Sequence, residues 1–268
     1  MAWSLRTVLA IVSMILLAPL AAAQDRNPQN NQTAAPASSM GAPDAFSPAQ
    51  SREIEKIVKN YLVQHPEVLQ EAMEALDRRQ KEAEADKART VIKENNATIF
   101  NSTHQVVLGN PQGKVTMVEF FDYNCAFCKR AMADMLNLLK TNSDLKFVLK
   151  EFPVLGPGSV EAAHVAVAAR MQDPSGKKYM EFHQKLLGSR GPADKMRALA
   201  IAKDVGFDVS RIEKDMNSDE VKATIEESMK LADALGVSGT PTYVVGDEVV
   251  VGAVGLDELR AKIKNEGK

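Results

Sequence analysis

The chain has 268 residues, with 33 lysines and arginines against 35 aspartates and glutamates, and two cysteines. A formal charge of −2 gives no electrostatic reason to expect nucleic acid or an anionic membrane surface as a partner, and two cysteines are too few for a disulfide-stapled scaffold. A chain of this length can bury a core without such staples. The first 23 residues combine Arg6, the apolar run TVLAIVSMILLAPL and Ala21-Ala22-Ala23. This is the pattern of a secretory signal peptide, too short and too proline-interrupted for a comfortable membrane span. It implies export, which in a bacterium means the periplasm. Residues 24–46, rich in Asn, Gln, Ala, Pro and Ser, offer almost no large apolar side chains and read as a disordered tether.

Order is expected from Ser47-Pro48-Ala49-Gln50, an N-cap serine, a first-turn proline and a capping-box glutamine. Ile54, Ile57, Val58, Tyr61 and Leu62 follow at helical spacing, His65-Pro66 interrupts, and Val68, Leu69, Ala72, Met73 and Leu76 form a second stripe. From Asp77 to about Asn95 the sequence favours helix but has almost no apolar face, as expected of a polar strut. Residues 47–98 are therefore read as an N-terminal helical segment whose two stripes, set apart by the strut, meet copies of themselves in a homo-oligomer through residues 47–95. Folding back onto the main domain is the other way to bury them.

Residues 99–268 read as one α/β domain. A short strand at His104–Leu108 precedes VTMVEFF (Val115–Phe121), whose single charged residue is Glu119. A helix opens at Cys125 and runs to about Lys140 with Phe127, Ala131, Met135 and Leu138 on one face, and a strand LKFVLKEF follows. Strand, helix and strand in that order predict a right-handed crossover and a parallel pair. About 156–236 is helical throughout; TYVVG and EVVVG then make an antiparallel hairpin, and a last helix spans Leu256–Lys264.

The chemistry sits in EFFDYNCAFCKR, which contains both cysteines, Cys125 and Cys128. A zinc site needs three or four ligands, yet no second cysteine pair exists and His104, His164 and His183 fall in separate elements, so no metal is expected. Transient copper capture by the thiolates with Met132 or Met135 is conceivable, but those methionines are more simply helix core. A bridge closing so short a loop adds little stability, which argues against a structural staple. A redox pair remains. Cys125, in the first turn of a helix, would have its thiolate stabilised by unpaired N–H groups and act as nucleophile. Cys128, one turn further in, would be more buried and resolve the mixed disulfide. The chemistry would need no cofactor beyond the redox-active disulfide Cys125–Cys128. Glu119 shares a strand face with Val115 and Met117 and is expected to be buried near the cysteines, where a carboxylate needs a partner or a raised pKa. Lys150, on the neighbouring strand, is the candidate partner.

The stretch VVLGNPQGKVTMVEFFDYNCAFCKR resembles the DsbA family of thioredoxin-fold disulfide oxidoreductases, and the resemblance runs from about His104 to Lys264. It implies a thioredoxin fold with an inserted helical domain at 156–236. It places Gly239-Thr240-Pro241-Thr242 in the family's cis-proline loop, with Thr240 and Pro241 docking an extended substrate beside Cys125. Phe127, between the cysteines, is grouped with these substrate-binding residues. The same resemblance would make Glu119 and Lys150 a catalytic proton relay. Ala126-Phe127 replaces the Pro-His pair of the best-known oxidase, removing a histidine that helps hold the thiolate, so the disulfide should be less oxidising. Thr240 before the proline is more usual in isomerase-type relatives. EIEKIVKNYLVQHPEVLQEAMEAL is similar to the ScsC-like branch, whose N-terminal helices oligomerise. Together these features tilt the expectation toward an oligomeric isomerase or reductase. Expected partners are unfolded or mis-oxidised secreted proteins and a membrane redox partner, either a DsbB-like oxidant or a DsbD- or ScsB-like reductant. The alternative is an oligomeric chaperone or copper-handling protein in which the thiols are secondary.

Overall fold

The computed structural model describes residues 46–267. The leader at 1–23 and the tether up to residue 45 lie outside the described residues.

Helix α1 (Pro48–Gln64) begins with the expected capping box: the Ser47 backbone N–H donates to Gln50 Oε1 at 2.8 Å, and the Gln50 N–H donates to Ser47 Oγ at 3.3 Å. It buries no residue, and Ile54, Ile57 and Val58 are all exposed. Among the described residues, 46–64 and 65–267 fall in two separate units. The helix ends where Pro66, which lacks an N–H and disfavours helical geometry at the residue before it, begins the next one.

In the second unit, α2 (Pro66–Glu94) is one continuous helix of 29 residues. The second stripe and the expected strut are thus a single rod. Leu69, Met73 and Leu76 are exposed, whereas Ala88 and Ile92 near its end are buried. The compact unit therefore starts N-terminal to the expected boundary at 98/99, because the last turns of α2 and the short α3 (Asn96–Asn101) bury Ile92, Ile99 and Phe100.

The strands are β1 (Val106–Gly109), β2 (Val115–Phe121), β3 (Leu145–Glu151), β4 (Thr242–Val245) and β5 (Glu248–Val251), ordered β1-β3-β2-β4-β5 in one sheet. Only β2 and β3 are parallel, joined by α4 (Ala126–Thr141) as the crossover; the other pairs are antiparallel. Gly246, at φ 58°, lies in the β4–β5 turn, in the left-handed region that glycine enters without penalty. Strand alternation sends Val115, Met117 and Phe121 into a core with α4, and Val118 and Phe120 into a second core with Ile92, Ile99 and Phe100. Both sheet faces are covered, so nearly every residue of β2 and β3 is buried.

Between β3 and β4 the chain makes α5 (Pro157–Arg170), α6 (Lys177–Leu187), α7 (Lys195–Val205), α8 (Val209–Asp215) and α9 (Asp219–Ala234), and α10 (Leu256–Glu266) closes it. Helix α5 buries Ala162, Ala163, Val165, Ala166, Val167, Ala168 and Ala169, as expected of a central helix packed on most sides. Asp194, Asp208 and Ser218 cap α7, α8 and α9 through their side chains.

One expected pair does not form. In the β2–β3 register Glu119 lies beside Leu149, and Lys150 beside Phe120, so Glu119 and Lys150 face opposite sides of the sheet. Lys150 Nζ instead donates to Glu227 Oε1 of α9 at 3.0 Å and to the Thr98 carbonyl at 2.8 Å. Its side chain is wholly buried, and burial lowers its pKa against the opposing pull of Glu227. This lysine locks α9 and α3 onto the sheet. Lys150→Met strands the partly buried Glu227 carboxylate and should cost about 2–4 kcal/mol, read as a drop in urea midpoint. Thiol exchange per folded molecule should be unchanged; a fall in it would restore a catalytic role to Lys150.

Candidate active site

The reactive turn is built where β2 runs out. Asp122 is buried, and its backbone carbonyl accepts the Cys125 N–H at 3.0 Å. Its carboxylate Oδ1 accepts the Asn124 N–H at 2.7 Å and the Ser159 hydroxyl at 2.8 Å. Its Oδ2 accepts the N–H groups of Val154 and Leu155 at 2.9 and 3.0 Å. The side-chain bond to the residue two positions on is an Asx turn, and it delivers Cys125 to the N-cap of α4.

Both cysteines are free thiols, Cys125 at 6% exposure and Cys128 at 1%. Cys125 Sγ donates to the Thr240 carbonyl at 3.1 Å, and the Thr240–Pro241 peptide is cis. A turn at residue 122 and a loop at residue 240 thus converge on one sulfur. Burial first, then the charge of Glu119, pushes the Cys128 thiol well above its usual range. Cys128 therefore stays protonated until a base takes its proton.

Glu119 is 4% exposed, and burial alone pushes its carboxyl up to about 8. It stands opposite Tyr243 on β4 and beside Leu149 on β3, with no lysine on its face from β3. It is the titratable group next to Cys128 that can hold or accept a proton near neutral pH.

Phe127 departs from its expected place. The buried face of α4 is Cys128, Ala131, Met135 and Leu138, while Phe127 is 53% exposed with the Arg130 guanidinium 4.3 Å from its ring centroid. The stripe is set by Cys128, so the ring between the cysteines faces solvent. Met135 is core, and Met132 packs against that core.

Several site residues were not singled out from sequence. Asn124 accepts the Ala193 N–H at 2.7 Å and donates to the Ala193 carbonyl and the Ser159 hydroxyl, both at 2.9 Å. Behind the turn, the Tyr123 hydroxyl lies 3.1 Å from that of Tyr179 and 3.2 Å from His183 Nδ1, and Tyr179 donates to Glu151 at 2.9 Å. Burial lowers His183 to about 3, so it is neutral, and burial raises Glu151 well above the carboxylate range. Only the short DYNC sequence hinted at the turn, through its Asp and Asn.

A family profile described as the DSBA-like thioredoxin domain matches residues 116–264, and one described as the copper resistance protein ScsC N-terminal domain matches residues 50–83. The crystal structure of a thioredoxin-like oxidoreductase from Silicibacter pomeroyi DSS-3 is similar at TM-score 0.61 and 44% identity, over 64% of this chain and 96% of that one. BcfH from Salmonella enterica Typhimurium is similar at TM-score 0.71 and 26% identity, over 82% of this chain and 97% of that one. Disulfide bond formation protein D of Bacillus subtilis is 25% identical over 174 residues, 61% of this chain and 78% of the relative. The Na(+)/H(+) antiporter NhaA 1 of Salinispora arenicola is 28% identical over 159 residues, 59% of this chain but only 24% of the antiporter's length.

Proposed function

This chain belongs to the DSBA-like thioredoxin-domain family of thiol–disulfide oxidoreductases, and from that premise we propose that it exchanges disulfides in exported proteins, as an isomerase in preference to a plain oxidase. The reading rests on one observation above the others: Cys125 Sγ sits at the mouth of α4, 3.1 Å from the Thr240 carbonyl, with Cys128 sealed behind it.

In isomerisation the Cys125 thiolate attacks a substrate disulfide, forming a mixed disulfide and releasing one substrate thiolate. A different thiolate of the same substrate then attacks the substrate sulfur bonded to Cys125, forming a new substrate disulfide and releasing Cys125 as a thiolate, with no net transfer of electrons. When Cys128 attacks the mixed disulfide instead, substrate leaves as a dithiol and the protein as the Cys125–Cys128 disulfide, which a membrane reductant must then reduce. Oxidation of a substrate dithiol is the reverse and needs a membrane oxidant. An extended substrate chain pairing with the backbone at Thr240 and Pro241 would bring its sulfur to Cys125. Phe127, Val154, Leu155 and Met196, all exposed, suit unfolded apolar segments.

The isomerase direction is favoured by Ala126-Phe127, which puts no histidine between the cysteines to hold the thiolate. It is also favoured by α1, a helix with a wholly unburied apolar stripe that a second copy would cover. The chain without residues 1–23 should reactivate a scrambled multi-disulfide protein in a glutathione buffer. Deleting residues 46–64 should lower both that activity and the mass in solution. Rapid oxidation of a reduced dithiol peptide without unscrambling would make it an oxidase.

A further inference from the structure

The side chains of the turn carrying Cys125 bind the helical insertion and the two residues that lead into it. Asp122 takes the N–H groups of Val154 and Leu155, where the chain leaves β3 for the insertion, and the Ser159 hydroxyl in the first turn of α5. Asn124 binds both backbone groups of Ala193, in the loop between α6 and α7, and the same Ser159 hydroxyl. Asp122, Ser159 and Ala193 are all within 1% of complete burial; the Ser159–Asp122 bond is buried and the others are partly so. The residues they seize adjoin exposed apolar side chains: Val154 and Leu155 themselves, Val160 after Ser159, and Met196 after the Ala193 loop.

We infer that Asp122 and Asn124 are positioning residues that couple the apolar surface of the insertion to the nucleophile, so that a polypeptide gripping that surface sets the geometry of Cys125. Neither side chain reacts. Each gathers, onto the turn that places the sulfur, a segment bearing the exposed apolar residues. A small disulfide that touches only the sulfur draws nothing from this coupling; a polypeptide disulfide does. The inference rests on the reading of Cys125 as nucleophile.

The test compares two disulfides, glutathione disulfide and a short apolar peptide closed by one disulfide, each reacting with the reduced protein. In both reactions the protein dithiol gives up two electrons and two protons and becomes the Cys125–Cys128 disulfide, while the small disulfide leaves as two thiols. Asn124→Ala and the milder Ser159→Ala should each cut the preference for the peptide over glutathione disulfide by about tenfold, in the turnover rate and not in the half-saturating concentration. Reaction with glutathione disulfide, which needs the placed sulfur but not the surface, should fall much less, by about twofold to threefold. Equal losses on both substrates in Ser159→Ala would mean a merely structural role, and an unchanged preference would mean no coupling; either overturns the inference. A wild-type protein inert toward both disulfides would instead overturn the reading of Cys125, and the inference with it.

Discussion

Cys125→Ser is expected to reduce disulfide exchange to the uncatalysed background while leaving the fold intact. The serine hydroxyl can make the same bond to the Thr240 carbonyl, and Cys125 makes no side-chain capping bond that serine would have to replace. What disappears is the thiol at the mouth of α4, the less buried of the two: a hydroxyl is not ionised at neutral pH and forms no stable bond to a substrate sulfur. The complementary change, Cys128→Ala, should let attack proceed and block resolution, so that mixed disulfides with exported proteins accumulate and are seen on a non-reducing gel. Undiminished protection of unfolded clients by Cys125→Ser would instead favour a holding chaperone in which the thiols are secondary.

Glu119→Gln should stabilise the protein at pH 7 by about 3 kcal/mol, an unusual direction for a buried substitution. Burial holds the carboxyl near 8, against an ordinary value of 4.5. The folded state therefore keeps a proton that the unfolded chain has released across that interval. The stability linked to that proton is full below pH 4.5, declines as pH rises through the window, and is gone above 8. The variant has no such dependence, so the gap between the two proteins should be near zero at low pH and widest above pH 8. Urea midpoints at pH 5, 7 and 9 measure it, and a gap that does not change with pH would refute the assignment. We propose that Glu119 also serves Cys128 in proton exchange, and the same variant should then prolong the mixed disulfide.

How far the sequence reaches depends on the range of the interaction involved. The C-x-x-C helix, the hairpin after Pro241 and the helical block from 156 to 236 are local patterns, and each lies where those patterns indicated. The Glu119–Lys150 pair was out of reach because it turns on register. A parallel strand pair is joined through a helix of free length, and a shift of one residue carries a side chain to the other face. Phe127 and Cys128 are neighbours on a helix, and either completes a stripe with Ala131, Met135 and Leu138; only the packed core chooses Cys128. The partners of Asp122 and Asn124 lie 32 to 69 residues away, beyond any local pattern. Residues 77–87, expected as a helix-favouring polar strut, are indeed helical through propensity without burial, and they continue the second stripe as one helix.

The contact between Cys125 and Thr240 joins residues 115 apart in the chain, with the whole helical insertion between them. Closing so long a loop costs entropy that only the packed insertion can offset. During synthesis from the N-terminal end, both thiols emerge well before the strand that will flank them, and until then they are an ordinary dithiol on an unfinished chain. Maturation of this site is thus a late event in the life of each molecule, and the competence of its sulfur is a certificate that all the chain between has folded.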